Sequence, residues 1–163
     1  MRKGQTALEY LMTYGWAILI VIIVVAALYA LGLTKPCRWT GTQVTVPGGF
    51  STDRSYIKVT QIANGNRLQM RITNGLPEAI TFKAASPLTF SMSPTGDTAT
   101  WPGADTTLQT GQTAEITVDI TSADPDSVAV GDCYTIDVSG KYYTTGDVSH
   151  DFTARITGPV ESA

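Results

Sequence analysis

The hydrophobic positions divide the chain into two parts that have different periods. The 25 residues from Tyr10 to Thr34 carry no charge, and residues 16–33 are almost continuously apolar. A helix needs about 20 apolar residues to span the hydrocarbon layer of a bilayer. The first part is therefore predicted to form a hydrophobic helix over residues 5–33. Because β-branched residues fill most of residues 18–25, this helix is expected only where lipid or other helices surround it.

After residue 33, apolar and polar residues alternate, a pattern typical of half-buried β-strands. Turn-forming residues separate the runs, and Asn64-Gly65 gives the strongest hairpin signal because Asn and Gly accept positive φ angles. The runs begin near Gln43, Ser55, Arg67, Glu78, Pro87, Thr113, Cys133 and His150. Seven or eight short antiparallel strands predict an immunoglobulin-like β-sandwich over residues 34–163. The predicted fold class is α+β, with the long N-terminal hydrophobic helix followed by an all-β sandwich.

The charges of the chain are unevenly distributed along the sequence. The net charge is −3 and the chain lacks the basic patch typical of nucleic-acid-binding proteins, so no nucleic-acid partner is expected. Residues 34–83 carry seven Lys or Arg against two carboxylates, whereas residues 84–163 carry two against eleven. Two interpretations stay open: complementary halves attract copies of the same chain, or both halves are simply solvated.

The residues around the apolar segment limit what this segment can be. Arg2 and Lys3 precede it, so the positive-inside rule leaves the start of the chain in the cytoplasm and places the chain after Lys35 outside. If the segment were an ordinary signal peptide, it would be cut after Ala30-Leu31-Gly32. Ordinary signal peptides, however, have a shorter apolar core, and no carboxylate such as Glu9 separates that core from the cations. A plain transmembrane anchor explains the length but not Glu9, because a carboxylate at the edge of a membrane segment is costly.

A third interpretation takes all of these residues together. The stretch KGQTALEYLMTYGWAIL closely resembles the class III signal peptide of archaeal type IV pilin-like proteins, in which a short cationic leader is cut on the cytoplasmic side of the helix. The resemblance implies that residues 1–4 are the leader and that Lys3, Gly4, Gln5 and Glu9 specify processing, with cleavage between Gly4 and Gln5. Residues 5–33 would then stay on the mature protein, first as a membrane anchor and later as the core of a filament.

The same resemblance implies how subunits contact one another. Glu9 would be the fifth residue of the mature chain and would meet the amine of Gln5 on a neighbouring subunit, which offsets the cost of burying the carboxylate. If Gln5 cyclises to a neutral lactam, Glu9 needs another partner or a proton. Ala26 and Ala30 form a small-xxx-small pair that permits close approach of two helices. The expected assembly residues are therefore Gln5, Glu9, Ala26 and Ala30.

By this resemblance the chain is a pilin, a structural subunit of an archaeal type IV pilus-like filament that serves surface adhesion. Its expected partners are copies of itself, the membrane before assembly, a membrane prepilin peptidase, and a cytoplasmic assembly ATPase with its membrane platform. The expected location is the cell surface, with the precursor in the cytoplasmic membrane and its N-terminus inside. Two alternatives stay open: a membrane-anchored cell-surface binding module or minor pilin, and an archaellum filament protein for motility.

The two cysteines, Cys37 and Cys133, lie in the part of the chain that is expected to be exported. Two Cys in an exported domain most often form one disulfide. A metal site is the weaker interpretation, because His150 is the single His of the chain. We therefore predict a disulfide that joins the start of the sandwich to its seventh predicted strand.

Other chemistry has little support in the sequence. No Ser-His-Asp arrangement can be placed and no phosphate-binding glycine motif occurs, so neither an enzyme activity nor a cofactor is predicted. Asp124-Pro125-Asp126 is interpreted as a turn rather than a calcium site. Trp39 and Trp101 are expected to be buried in the sandwich rather than to form a binding surface. No Asn-x-Ser/Thr triplet occurs, whereas the many Thr residues offer acceptors for hydroxyl-linked sugars.

Overall fold

The computed structural model describes residues 5–31, 35, 37–122 and 128–162. The chain divides into two compact units, residues 1–36 and residues 37–163. The α+β fold class is confirmed, because a long N-terminal helix precedes an antiparallel β-sandwich. The leader predicted over residues 1–4 and the domain boundary predicted between residues 33 and 34 lie outside the described residues.

Helix α1 spans Gln5–Ala30. At 1.5 Å per residue, its 26 residues extend for about 39 Å, which exceeds the hydrocarbon layer of about 30 Å. Within it, Met12–Ala30 has a mean hydropathy of 2.3 and is long and apolar enough to cross a membrane by length and composition. The last two residues of the predicted helix, 32 and 33, lie outside the described residues.

The described part of the sandwich contains one short helix, one 3-10 turn and eleven strands. Helix α2 spans Cys37–Thr40 and the 3-10 turn spans Arg54–Tyr56. The strands are β1 (Gln43–Thr45), β2 (Phe50–Ser51), β3 (Lys58–Ile62), β4 (Gly65–Asn74), β5 (Ile80–Phe82), β6 (Leu88–Ser93), β7 (Thr98–Trp101), β8 (Thr106–Leu108), β9 (Thr113–Thr121), β10 (Cys133–Thr144) and β11 (Val148–Pro159).

The strands form two sheets. In the seven-stranded sheet, β11 pairs with one edge of β10 along its whole length, and β5 and β6 pair with the other edge. β1, β7 and β8 extend this sheet by pairing with β11, β6 and β5. In the four-stranded sheet, β9 pairs with one edge of β4, and β2 and β3 pair with the other. Each sheet is therefore organised around one long central strand.

The order in which the chain visits the two sheets is that of an immunoglobulin-like sandwich. Strands β3, β4 and β9 take the places of strands A, B and E in one sheet. The chain crosses from β4 to β5 and β6, and later from β9 to β10 and β11. In the other sheet, β5 and β6 together take the place of C, β10 that of F and β11 that of G. The predicted immunoglobulin-like architecture is thus present.

The alternating pattern sends every second side chain of the long strands into a single core. In β4, Leu68, Met70 and Ile72 are buried, while the alternate residues Gln69 and Arg71 are half-buried. Phe50, Phe82 and Phe152 meet edge to face, with centroids 5.2 Å apart for Phe50 and Phe152 and 5.9 Å apart for Phe82 and Phe152. Burial of each such side chain contributes roughly 1.5–3 kcal/mol, so this core is the main source of the stability of the sandwich.

Eight of the eleven strands arise from the runs that the sequence predicted. The prediction missed β2, β7 and β8, which are only two to four residues long. Ser55 and Tyr56 were predicted to begin a strand but form the 3-10 turn instead. The physical reason is a cap: Asp53 Oδ1 accepts a hydrogen bond from the backbone N–H of Ser55 at 2.9 Å.

The predicted hairpin joins β3 and β4, and its Gly65 also lies close against a third strand, β9. Ile62 pairs with Gly65, which leaves Ala63 and Asn64 as the two-residue loop. Gly65 has a φ of +136°, and a Cβ at this position would lie 2.2 Å from the carbonyl oxygen of Ile120 in β9. Gly65 is therefore required for the close approach of two strands and not only for the turn.

A buried asparagine connects the end of β4 to the neighbouring loops. The side-chain amide of Asn74 donates to the carbonyl oxygens of Glu78 at 2.9 Å and Leu108 at 3.1 Å. Its Oδ1 accepts a hydrogen bond from the backbone N–H of Leu76 at 2.9 Å. Because Asn74 is inaccessible to water, its side chain, and not solvent, provides the hydrogen-bond partner of these three backbone groups.

Replacement of Asn74 by Ala is expected to lower the free energy of unfolding by about 2–4 kcal/mol, because a buried polar group left without a partner costs about 1–3 kcal/mol. Denaturant unfolding of the detergent-solubilised chain, followed by tryptophan fluorescence, measures this change. Asn64→Ala, in the exposed hairpin loop, is the control and should change stability by less than about 0.5 kcal/mol. Equal stability of the two variants would contradict the prediction.

Candidate functional site

Helix α1 is apolar around its whole circumference. The large hydrophobic side chains described between Tyr10 and Tyr29 are 45–74% exposed, and none of the apolar span Met12–Ala30 is buried. A helix that packs on one partner has a single apolar stripe, whereas a helix that is apolar all round needs apolar surroundings on every side. The helix is therefore a surface for lipid or for other helices.

Glu9 is the one charged residue of helix α1 and lies in its second turn. It is exposed, and its carboxylate has no hydrogen bond or ion pair with any residue that the structure describes. The Thr13 hydroxyl donates to the backbone carbonyl of Glu9 at 2.9 Å, which satisfies Thr13 within the helix. The Tyr10 and Tyr14 rings stack on each other, with centroids 5.0 Å apart. Glu9 therefore places one exposed carboxylate on the surface of an otherwise uncharged helix.

The other residues that the resemblance singled out are only partly within the described residues. Lys3 and Gly4 lie outside them, and Gln5 is the first residue of α1. Ala26 and Ala30 lie four residues apart, so both face the same side of the helix, and both are exposed. The exposed alanine pair leaves room for a second helix, and the roles assigned to all these residues stay predictions.

The disulfide predicted between Cys37 and Cys133 is present. The two Cα atoms are 5.7 Å apart, within the usual range for disulfides. Cys37 is the first residue of α2 and is buried, while Cys133 is the first residue of β10. The bond therefore connects the first element of the sandwich to its longest strand pair, across a sequence separation of 96 residues.

The two tryptophans outside α1 have different surroundings. Trp101 is half-buried, and its ring packs edge-on against Phe82 with centroids 5.5 Å apart. Trp39, by contrast, is 70% exposed, because it lies in the single-turn helix α2 rather than in a strand. The expectation of burial is thus wrong for Trp39, while Trp101 is buried only in part.

Ion pairs connect the cationic first half of the chain to the acidic second half. Arg67 donates through Nε to Asp119 Oδ1 at 2.6 Å, and Arg71 pairs with Glu115 at 3.3 Å. Lys83 pairs with Asp147. Since β4 lies beside β9, the two halves are interleaved on the sandwich. The structure therefore does not separate the cationic and acidic halves of the chain into two oppositely charged ends of the sandwich.

The outer faces of the two sheets differ in chemistry. The four-stranded sheet carries the Arg67–Asp119 and Arg71–Glu115 pairs, whereas the seven-stranded sheet carries Arg155–Asp137 and, opposite each other, Lys141 and Asp151, among many uncharged hydroxyls. Cross-strand pairing places ten of these hydroxyl residues side by side across β1, β11, β10, β6 and β7. They are Thr45, Thr89, Ser91, Ser93, Thr98, Thr100, Thr135, Ser139, Thr153 and Thr157. This face holds the acceptors that composition suggested for hydroxyl-linked sugars.

Among the described residues, no group of three or more His, Cys, Asp or Glu side chains is placed to hold a metal ion. The Asp124-Pro125-Asp126 segment lies outside them. Neither a scan against protein-family models nor a search of the curated proteins finds a match for this chain. The assignment of function therefore depends on helix α1 and on the surfaces of the sandwich.

Removal of the disulfide by a Cys37→Ala/Cys133→Ala double substitution is expected to lower the free energy of unfolding by about 4–5 kcal/mol. In the chain-entropy model, the bond stabilises the fold by restricting the unfolded chain, and the effect grows with loop length. Guanidinium unfolding of the detergent-solubilised chain, with and without reductant, measures this change. Wild-type protein under reducing conditions should match the double variant, and two free thiols in native, unreduced protein would contradict the assignment.

The Arg67–Asp119 pair predicts a pH dependence of stability. The hydrogen bond from Arg67 lowers the pKa of Asp119, so the stabilisation is present above the unfolded-state pKa of about 3.9. It is lost as the pH falls from there through the lower pKa of the folded protein. The wild type should therefore lose more stability between pH 5 and pH 2 than Asp119→Asn does. Thr117→Val, a non-titrating change on the same face, should keep the wild-type pH profile.

Proposed function

We propose that this chain is a pilin, the structural subunit of an archaeal type IV pilus-like filament. It is made as a membrane precursor with its N-terminus in the cytoplasm, cut between Gly4 and Gln5, and polymerised through helix α1 on the outside. The observation that carries this proposal is a 26-residue helix that is apolar all round and exposed, with Glu9 as its one charged residue.

The exposed apolar surface supports polymerisation. Each Val, Ile or Leu side chain of α1 gains roughly 1.5–3 kcal/mol when it is removed from water. Lipid surrounds the helix on every side before assembly, and neighbouring helices do so in a filament core. The small side chains of Ala26 and Ala30 allow two such helices to approach closely. A membrane protein thereby becomes part of a water-soluble polymer.

Glu9 supports the filament over a simple anchor. In a simple membrane anchor, the Glu9 carboxylate costs free energy and forms no compensating interaction. Hydrolysis of the Gly4–Gln5 bond by a prepilin peptidase creates a new amine at Gln5, four residues from Glu9. In a filament this amine on one subunit compensates the Glu9 carboxylate of the next, because a buried charge is tolerated only with a partner.

The sandwich suits the outer layer of such a filament. Among its described residues, few large hydrophobic side chains are exposed: they are Trp39, Tyr56, Val130 and Val148. A disulfide closes its first element onto β10. The filament is extruded by a cytoplasmic assembly ATPase and its membrane platform, and its role is surface adhesion.

Two alternatives use the same helix but make a different product. A membrane-anchored binding module keeps α1 in lipid as a monomer, and a minor pilin occurs only at a filament tip or base. An archaellum filament protein polymerises for swimming. Electron microscopy of surface material sheared from cells, followed by peptide mapping and a motility assay, distinguishes these products.

The filament proposal predicts that sheared filaments contain this chain with Gln5, free or cyclised, as its N-terminus. Replacement of Gly4 by Phe should block processing, because the peptidase must approach the backbone beside a residue without a side chain. Peptide mass spectrometry of the membrane fraction would then detect the uncut leader. A protein that stays in the membrane as a monomer, and in which Gln5 is never an N-terminus, would contradict the proposal.

Glu9→Ala tests assembly separately from processing. We expect few or no filaments, while the sandwich still folds and forms its disulfide, as read from a non-reducing gel. Thr13→Val, one helical turn away, is the matched control, since Thr13 is satisfied within the helix and should tolerate the change. Normal filaments from Glu9→Ala would remove the role assigned to this carboxylate.

A further inference from the structure

A polar groove crosses the outer face of the four-stranded sheet. It lies between the 3-10 turn Arg54–Tyr56 and the outward side chains of β4 and β9. Two adjoining hollows of about 490 and 260 Å³ form it, and both are lined by Tyr56, Arg71 and Glu115. The first volume is within the usual range of about 300–1,000 Å³ for ligand sites. We call this feature the Tyr56 groove.

The aromatic side chain of the groove is held in place while it remains exposed. Tyr56 is 47% exposed, although the guanidinium of Arg71 lies 3.8 Å from its ring centroid. The preceding turn is fixed by Asp53, whose Oδ1 accepts hydrogen bonds from the Ser55 N–H at 2.9 Å and the Ser55 hydroxyl at 2.7 Å. A ring held at the surface in this way loses little conformational entropy when a ligand stacks on it.

The polar groups of the groove are arranged in a row along the strands. The Thr73 and Thr113 hydroxyls lie at one end, 2.7 Å apart, and Gln69 lies at the other end. Thr73 is four positions along the extended strand from Gln69, which corresponds to about 13 Å at 3.3 Å per residue. The groove therefore fits an elongated ligand of two or three rings better than a compact one.

The charges of the groove favour a ligand that is itself uncharged. Asp53 and Glu115 are balanced by Arg71 and Lys58, and Arg71 is already paired with Glu115 at 3.3 Å. Asp53 is ionised near neutral pH, and the Ser55 hydrogen bonds lower its pKa further, so its carboxylate can only accept hydrogen bonds. A phosphate or sulfate would meet no surplus of positive charge. A chain of hydroxyl groups would find both donors and acceptors.

We propose that the Tyr56 groove binds a neutral oligosaccharide segment, with one sugar ring stacked on Tyr56. Planar guanidinium and carboxylate groups match pairs of neighbouring sugar hydroxyls, since each can form two parallel hydrogen bonds. The apolar face of a sugar ring packs on an aromatic ring as other apolar groups do. This inference concerns the sandwich alone, and it does not depend on filament assembly.

Binding is tested with the full chain in a detergent that has no sugar head group, since such a head group would compete. The probes are neutral trisaccharides of glucose, mannose and N-acetylglucosamine, followed by saturation-transfer NMR and titration calorimetry. Saturable binding of at least one trisaccharide supports the proposal. Absence of binding by all three up to millimolar concentration would overturn it, and so would preferential binding of a uronic-acid or sulfated trisaccharide.

Substitutions inside and outside the Tyr56 groove test whether the trisaccharide binds there. Tyr56→Ala and Arg71→Gln should each weaken binding at least tenfold, whereas Tyr56→Phe should remain within about threefold of the wild type because the ring is kept. The matched controls are Arg67→Gln, which breaks the neighbouring ion pair outside the groove, and Trp39→Ala, which removes an exposed aromatic elsewhere. Thermal unfolding checks that each variant folds. Equal loss in Arg67→Gln and Arg71→Gln, or unchanged binding by Tyr56→Ala, would overturn the assignment of the site.

Discussion

The exposed apolar surface of helix α1 is the constraint on which the rest of the molecule depends. A helix satisfies its own backbone hydrogen bonds, so α1 is well formed, but its large hydrophobic side chains from Tyr10 to Tyr29 remain 45–74% exposed. At roughly 1.5–3 kcal/mol for each large side chain, exposure of this whole surface to water is not sustainable. The helix therefore requires apolar surroundings, whether lipid or other helices.

The sandwich differs from the helix in this respect, since its large apolar side chains are mostly buried within it. Its core is closed between two sheets, and the Cys37–Cys133 bond fixes its first element to β10. Its charges are compensated locally, because Arg67 and Arg71 face carboxylates on the adjacent strand. A unit built this way presents neighbouring copies with polar faces.

The sequence was sufficient to predict the fold class but not which strands pair with each other. The uncharged run predicted α1, and strict alternation predicted eight strands, because both patterns are local and each period reports burial directly. The short strands β2, β7 and β8 were missed because they pair through the backbone and have too few residues for a period. The Tyr56 groove was not predictable, since Arg71 and Glu115 are 44 residues apart and their register follows from the pairing of β4 with β9. The four-residue spacing of Arg67 and Arg71, matched by Glu115 and Asp119, was the available signal.

The two outer faces also divide the tasks that an exposed subunit must perform. Hydroxyls across the seven-stranded sheet offer sites for attached sugars and add no net charge. The four-stranded sheet instead carries two Arg–carboxylate pairs and the one exposed tyrosine of the described part of the sandwich. Charged planar groups beside a fixed ring give directional hydrogen bonds together with an apolar contact, a combination that recognises a ligand rather than merely remaining soluble. If many copies are arrayed along a filament, even weak binding by each groove becomes strong adhesion, because every contact raises the effective concentration for the next.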